Sequence, residues 1–279
     1  MSRSGPRTAV RTARTARTVG LLAGDVGHPL LAACSEILQA GGHRVVAAGE
    51  PADVLLLKAR TPQALEHARQ VEAAGTPVLN SAASTAFCQD RVAMAQLAVE
   101  AGLPFAATSG PVRLADLAVE RPSVVKSRYS RRGDLVARVG GADDVRRLAE
   151  TWGEEPVVVQ DLAPAGGWDH KIWVVAGRLF AQLRHSELAA GPPRPPRPLA
   201  VEALPVGYRD LALTVGEVFG LDVYGVDVLD VGGRPLIVDV NAFPGIRGQA
   251  GAPEALAALA LAAAEGRHTP RVVAVGAAV

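Results

Sequence analysis

Two carboxylates and an amide late in the chain have the types and spacing of a divalent-metal site. Asp227 lies in the apolar run Tyr224–Leu229, and Asp239 lies in the run Leu236–Val240, two residues before Asn241. Both runs predict β-strands, and side chains two residues apart share one face of a strand. Hard oxygen ligands of this kind suit Mg²⁺ held between protein and phosphate groups. The alternative is that the two aspartates cap turns at strand ends.

A lysine and the turn after it have the composition of an anion-binding loop. Lys126 ends the apolar strand Ser123–Lys126, and the turn Ser127–Asp134 supplies hydroxyl groups, arginines and a glycine. Backbone N–H groups in a small, mobile turn can close over phosphate oxygens, which makes Ser130 and Gly133 candidates for phosphate contacts. A solvated basic loop is the alternative.

A third candidate group begins at the end of the predicted strand Val157–Gln160. Gln160 is followed by Asp161 and Leu162, and backbone groups just past such a strand can recognise the edge of a purine base. Lys171 and Arg184 lie on the next predicted hairpin, where they can stabilise developing phosphate charge. The alternative is that they are ordinary surface charges.

The composition narrows the class of protein. A formal net charge of +1 over 279 residues argues against a general nucleic-acid binder. Two cysteines cannot form a disulfide framework or a four-cysteine zinc site, which fits a reduced, cytoplasmic compartment. We expect a disordered basic leader at 1–18, with an organelle transit peptide as the alternative. No run of apolar residues is long enough to predict a membrane span.

The first part of the chain predicts strands in alternation with helices. This alternation indicates a parallel sheet, and hence a small Rossmann-like domain at 19–82. The segment lacks a Gly-x-Gly-x-x-Gly fingerprint, so no dinucleotide site is expected there. The strands are expected at Val19–Ala23, Arg44–Ala48, Val54–Leu57 and Pro77–Leu79, and the helices at Pro29–Ala40 and Pro62–Ala74.

The rest of the chain predicts a mixture of helices and hairpins. One long helix is expected at Ser84–Ala101, with Ser84 as its N-cap. The proline-rich segment Gly191–Pro198 cannot join a helix or a central strand. Further strands are expected at Leu135–Val139, Ile172–Val175 and Leu179–Leu183, and further helices at Val145–Trp152, Tyr208–Phe219 and Pro253–Glu265.

The order of these segments, from the lysine strand to the Asp…Asp-x-Asn pair, resembles the ATP-grasp family over about residues 18–265. The segment Asp239–Gly245 is similar to the family's C-terminal metal motif. The resemblance implies an α/β protein in which two α+β lobes grip ATP. The ATP-grasp domain is then expected at 83–266, with a central lobe at about 105–158, a C-terminal lobe at about 159–266 and a tail at 267–279.

The resemblance also implies roles for the candidate residues. Magnesium, or manganese, would be held by Asp227, Asp239 and Asn241. Arg91 would replace a lysine that family members commonly carry at the start of the helix before the central lobe. Arg247 is our candidate for an acceptor's carboxylate or phosphate, with a salt bridge to a neighbouring acid as the alternative. ATP contacts are implied for Arg91, Lys126, Ser130, Gly133, Gln160, Asp161, Leu162 and Asp169, and catalytic roles for Lys171 and Arg184.

Two branches of the family are most similar to this chain: the RimK-type carboxylate–amine ligases and the ATP-grasp inositol polyphosphate kinases. The first predicts that ATP activates a small acidic substrate as an acyl phosphate, which an amine then attacks. The second predicts phosphorylation of a hydroxyl group, and a non-catalytic nucleotide-binding protein is a further alternative. The expected partners are ATP, the acidic substrate and the amine, without nucleic acid or membrane, in a possible homodimer.

Overall fold

The computed structural model describes residues 15–164, 166–189 and 191–274. Positions 1–14 of the predicted leader and 275–279 of the predicted tail lie outside the described residues. Within these ranges the chain forms seven α-helices and thirteen β-strands, which are arranged in three sheets.

The first part of the chain forms β1 Thr18–Ala23, α1 Pro29–Ala40, β2 Arg44–Ala47, β3 Val54–Lys58, α2 Pro62–Ala73 and β4 Val78–Leu79. Its four strands form a parallel sheet in the order β2-β1-β3-β4. Both helices begin at a proline that follows a capping residue. The side chains of His28 and Thr61 accept hydrogen bonds from backbone N–H groups of the first helical turns. The predicted alternation and parallel pairing are confirmed.

The single helix predicted at Ser84–Ala101 is wrong, because two helices occupy this region: α3 Ala82–Phe87 and α4 Arg91–Glu100. Ser81 caps α3 by accepting from the backbone N–H of Ser84, which is itself inside the helix. Asp90 interrupts the helical path and caps α4 by accepting from the Val92 backbone N–H.

The next part of the chain forms β5 Thr108–Arg113, β6 Ser123–Ser127, β7 Val136–Val139, α5 Ala142–Trp152 and β8 Pro156–Asp161. Its strands form a second, antiparallel sheet in the order β5-β8-β6-β7. Strand β5 was not predicted, since it is a largely exposed edge strand that contains Gly110 and Pro111. The expected lobe boundary at 158/159 falls inside β8, which lies wholly in this sheet.

The last part of the chain forms β9 Trp168–Val175, β10 Arg178–His185, β11 Arg197–Leu199, α6 Tyr208–Val218, β12 Val223–Val231, β13 Arg234–Ala242 and α7 Ala252–Ala264. Its strands form a third, antiparallel sheet in the order β11-β10-β9-β12-β13. Arg197 and Pro198 of the proline-rich segment belong to the edge strand β11, a position at which proline is tolerated. Helix α6 packs on one face of the sheet, and the other face borders a cleft.

One apolar core joins the first and third sheets. Val19 of β1 and Leu31 of α1 belong to the same buried cluster as Trp173 of β9, Val223 of β12 and Leu256 of α7. The two sheets are therefore held together by continuous burial of apolar surface. None of the helices in the described ranges is long and apolar enough to cross a membrane.

Candidate active site

A cleft of about 1360 Å³ lies where the three sheets meet. The first sheet contributes Lys58 at the end of β3, and the second contributes Lys126 and Gln160. The third contributes Lys171 and Asp227 from adjacent strands. Polar side chains that are far apart in the sequence therefore converge on one volume, as expected for a small-molecule site.

The two aspartates face the same side of the third sheet. Asp227 of β12 and Asp239 of β13 are register partners, and Lys171 of β9 is the partner of Asp227 on its other side. Directly opposed residues of antiparallel strands point to one face, and all three line the cleft. Asn241, two residues after Asp239, lines it as well, and its Nδ2 donates to Asp239 Oδ2 at 3.3 Å. The predicted convergence of these residues is confirmed.

Positive charge surrounds Asp239. Burial opposes ionisation of this carboxyl, but Arg91, Lys126 and Lys171 outweigh it and lower the pKa of Asp239. Arg91 NH2 lies 3.7 Å from Asp239 Oδ2, and Arg91 NH1 donates to Asp134 Oδ2 at 2.7 Å. Asp239 is therefore a carboxylate at neutral pH.

Lys126 is almost fully buried, and its Nζ donates to the Val238 carbonyl oxygen at 2.7 Å. Burial lowers the pKa of Lys126, while Asp239 opposes the shift. This hydrogen bond connects the second sheet to the strand that carries Asp239. Lys126 thus stands between the predicted phosphate loop and the predicted metal ligands.

Asp227 lies in a second charged group. Its Oδ2 accepts a hydrogen bond from Lys171 Nζ at 2.8 Å, and its Oδ1 is 2.6 Å from the same nitrogen. Arg184 NH2 lies 3.9 Å from Asp227 Oδ2 and 3.6 Å from Asp169 Oδ2. Burial raises the pKa of Asp169, and its buried Oδ1 has no hydrogen-bond donor among the residues that the structure describes. The predicted residues Asp169, Lys171, Arg184 and Asp227 thus form one network.

The donors in this part of the cleft fit a divalent cation shared with phosphate groups. The Asp227 and Asp239 carboxylates both lie on the cleft face of the third sheet, where Asn241 adds an amide oxygen. No three His, Cys, Asp or Glu side chains of the described residues converge on one metal position. Two carboxylates and one amide leave coordination positions for oxygens of a bound ligand and water, as is usual for Mg²⁺.

The predicted adenine-binding residues also line the cleft. Gln160 is buried, and its Nε2 donates to Thr108 Oγ1 at 3.0 Å. Asp161 is exposed and pairs with Arg121 at 2.6 Å, and Leu162 follows at the end of β8. The Asp161 carboxylate is therefore held at the surface by this pair, and its backbone N–H donates to the Ala107 carbonyl oxygen at 3.3 Å.

Two predicted site residues do not line the cleft. Gly133 is exposed at the tip of the turn after β6, at φ +73°, although Ser130 of the same turn lines the cleft. Arg247 is exposed at the rim, since buried Ile246 turns the chain away just after the cleft residue Gly245. In the part of the chain that the structure describes, no acid forms the alternative salt bridge with Arg247.

The sequence interpretation missed several cleft residues from the first sheet and the helix after it. Lys58 and Arg60 lie at the carboxyl end of the parallel strand β3, and Thr85 and Gln89 lie in and just after α3. The signal that could have found the two cations is their position, because ligands bind outside the carboxyl ends of parallel strands. No local pattern marks Thr85 or Gln89.

Solved structures identify the class of fold. A RimK domain ATP-grasp protein from Sphaerobacter thermophilus superposes with a TM-score of 0.68 at 23% identity, covering 88% of this chain and 99% of that one. A D-alanine–D-alanine ligase from Bacillus anthracis superposes with a TM-score of 0.69 at 13% identity, covering 91% and 100%. The chain therefore has the mixed α/β ATP-grasp fold.

A family model described as the RimK-like ATP-grasp domain matches residues 112–259, which is more than half of the chain. The chain belongs to the RimK-like ATP-grasp family.

The similarity to curated relatives extends over only part of this chain and part of each relative. A probable alpha-L-glutamate ligase from Parasynechococcus marenigrum is 28% identical over 193 residues, which is 64% of this chain and 41% of that protein. A protein of the same name from Thioalkalivibrio sulfidiphilus is 27% identical over 201 residues, 64% of each. The chain thus spans less than two thirds of the length of these relatives.

Proposed function

We propose that this protein is an ATP-dependent carboxylate–amine ligase that forms an amide or peptide bond on a small acidic substrate. The observation that carries the proposal is the direct opposition of Asp227 and Asp239 on the cleft face, with Lys126, Lys171 and Arg184 beside them. This arrangement supplies metal ligands and positive charge to a phosphate tail. The names of the curated relatives agree with an acidic substrate such as L-glutamate.

The reaction proceeds in two balanced steps. A carboxylate oxygen of the substrate attacks the γ-phosphorus of ATP, which forms an acyl phosphate and releases ADP. The amine nitrogen then attacks the acyl carbon, inorganic phosphate leaves, and the nitrogen loses a proton. Neither step requires a covalent enzyme intermediate.

The position of each cleft residue suggests its role in this reaction. Asp227, Asp239 and Asn241 would hold Mg²⁺, which ATP-grasp ligases generally use with ATP and which neutralises phosphate charge when bound. Lys126 would contact the nucleotide phosphates beside Arg91 and Ser130. Lys171 and Arg184 would stabilise the charge on the transferred phosphoryl group. The adenine would lie against Gln160, Asp161 and Leu162, with Asp169 completing the nucleotide contacts.

The domain boundaries that we propose follow the sheets. A Rossmann-like domain at 19–82 precedes an ATP-grasp domain at 83–266, whose central lobe extends to the end of β8 at Asp161. A homodimer remains a prediction.

Product analysis tests the proposed reaction. ADP release is measured with Mg-ATP, pooled acidic amino acids and pooled amines, and products are identified by mass spectrometry. An amide with free phosphate supports the ligase, whereas a phosphate ester indicates the kinase alternative. ATP binding without any turnover would support a non-catalytic protein.

Asp239→Asn tests the metal assignment. It should lower the rate of ADP release by about a hundredfold or more, because one charged ligand becomes neutral. The matched control is Asp230→Asn on the same hairpin, whose Oδ1 accepts a hydrogen bond from the Gly233 backbone N–H at 2.7 Å and which does not line the cleft. Wild-type turnover in Asp239→Asn would exclude the assignment.

A further inference from the structure

Two cations of the first sheet reach the cleft and are held there by neutral acceptors. Lys58 Nζ donates to the Phe243 carbonyl oxygen at 2.8 Å, and Arg60 NH2 donates to the Ala242 carbonyl oxygen at 3.1 Å. Arg60 NH1 donates to Ser130 Oγ at 3.2 Å. Within the described ranges neither cation has a carboxylate within ion-pair distance. Each keeps N–H donors that its protein neighbours do not use.

Two buried polar groups in the same corner are also without partners. Thr85 Oγ1 and Gln89 Nε2 are buried, line the cleft and make no hydrogen bond within the described part of the chain. The backbone N–H of Ser130 donates to the Gln89 carbonyl oxygen at 2.8 Å, and the Ser130 hydroxyl is the group that Arg60 contacts. Since buried polar groups are normally satisfied, the missing partner is expected to come from a ligand.

We infer that Lys58, Arg60, Thr85 and Gln89 form an anchor for a second acidic group of the substrate, one that is held rather than activated. A carboxylate accepts several hydrogen bonds at once, and two cations with a hydroxyl and an amide donor match that capacity. The inference rests on the proposed function, because it presumes that a different carboxylate of the same molecule is activated. The substrate class is therefore a dicarboxylate.

The anchor lies beside the proposed metal ligands. Arg60 NH2 donates to the carbonyl oxygen of Ala242, which directly follows the proposed ligand Asn241 and lies three residues after Asp239. The anchored group and the reacting group would therefore occupy neighbouring parts of one cleft. The other possible source of an anion in this corner is the phosphate tail of the nucleotide, and the experiment distinguishes the two.

Binding measurements with defined probes test the anchor. Titration calorimetry in the presence of Mg-ADP compares L-glutamate and L-aspartate with L-glutamine and L-asparagine. The wild-type protein should bind a dicarboxylate more tightly than its amide. Lys58→Met and Arg60→Met should each weaken dicarboxylate binding by at least about tenfold, as expected for loss of a charged hydrogen-bond donor. Mg-ADP affinity should stay within about twofold.

Two further variants keep the test interpretable. Arg44→Met removes an exposed cation of the same sheet that does not line the cleft, and it should bind as the wild type does. Thr85→Val removes only a hydroxyl at nearly constant shape, and it should weaken dicarboxylate binding even if a charge substitution impairs folding.

Three outcomes would overturn the anchor: wild-type dicarboxylate affinity in Lys58→Met, Arg60→Met and Thr85→Val, a selective loss of Mg-ADP affinity in them, or wild-type protein that binds no dicarboxylate. Failure of the proposed function has a different signature. In that case the product is a phosphate ester, while the variants still weaken binding of the acidic substrate.

Discussion

At the scale of single residues, buried charges in the cleft are compensated by charges from other strands or helices. Lys171 pairs with Asp227 across two strands, and Arg91 bridges Asp134 and Asp239. An unpaired buried charge is costly, so these pairs offset part of the cost of burying charged side chains. Lys58 and Arg60 differ, since both donate to carbonyl oxygens and neither has a carboxylate of the described residues within ion-pair distance.

Substrate binding should therefore depend on pH through Lys58. Burial lowers the pKa of Lys58 from 10.5 to about 8. The charges of Arg60 and Arg247 contribute to this decrease, and the charge of Asp25 opposes the shift. The remaining neighbour is His28, whose pKa is lowered by burial and by Lys58, so that it is neutral in this range. Because a carboxylate binds the ammonium form, dicarboxylate affinity should fall as pH rises through about 8. Titration calorimetry between pH 7 and 9 measures this decline in dicarboxylate affinity.

The stability of the fold should change with pH in the opposite direction to dicarboxylate affinity. Above pH 8 the unfolded chain still carries the Lys58 proton that the folded chain has lost, so the free energy of unfolding should rise with pH towards 10.5. Lys58→Arg keeps the charge at every pH tested and should remove the decline in binding. An equal decline in Lys58→Arg would show that another group is responsible.

At the scale of elements, the alignment of β12 depends on a close approach to α6. Tyr224 of β12 is fully buried, and its hydroxyl donates to the Ala212 carbonyl oxygen at 2.8 Å. A Cβ added to Gly216 of α6 would lie 2.2 Å from the Tyr224 hydroxyl oxygen and 2.5 Å from its Cζ. Only glycine leaves room for the ring, which sits three residues before Asp227.

Gly216→Ala should lower the free energy of unfolding by roughly 1–3 kcal/mol, because the ring must move within a packed core. This outcome opposes helix propensity, which favours alanine by about 1 kcal/mol. Urea denaturation measures the change. The matched control is Glu217→Ala, an exposed position on the same helix.

A double-mutant cycle tests whether the loss of stability in Gly216→Ala comes from contact with the Tyr224 ring. Tyr224→Phe should cost less stability in the Gly216→Ala background than in the wild type, because it removes one of the clashing atoms. A stabilised Gly216→Ala protein would contradict the packing argument.

At the scale of the whole molecule, Asn80 joins the first sheet to the third. It is fully buried just after β4, and its Nδ2 donates to the Val223 carbonyl oxygen at 2.7 Å. Its Oδ1 accepts from the backbone N–H groups of Asp222 and Val223 at 2.9 and 2.8 Å. One side chain thus satisfies three backbone groups where the predicted N-terminal domain meets the C-terminal sheet.

Asn80→Ala should lower the free energy of unfolding by roughly 2–4 kcal/mol, since it leaves the backbone N–H groups of Asp222 and Val223 buried without their acceptor, whereas the Val223 carbonyl oxygen still accepts from the Phe243 N–H. The exposed Gln63→Ala in α2 serves as the control and should be close to neutral. Thermal denaturation and urea denaturation both report the change. Wild-type stability of Asn80→Ala would mean that the apolar core alone joins the two sheets.

The sequence by itself determined the features that depend on near neighbours in the chain. The helices predicted to begin at Pro29 and Pro62 do begin there, and the two-residue spacing of Asp239 and Asn241 placed both on one face of a strand. The edge strand β5 and the break at Asp90 were missed, because their residues carry weak local signals and pairing with distant strands decides their conformation.

Only the tertiary structure decided which distant residues meet. Lys58 and Arg60 reach the cleft because the end of β3 packs beside the end of β13, and no periodicity in the sequence encodes that contact. Arg247 is turned to the rim because Ile246 is buried in the core. Side-chain periodicity is a local property of the backbone, whereas the composition of a site between sheets depends on the burial of apolar surface over the whole chain.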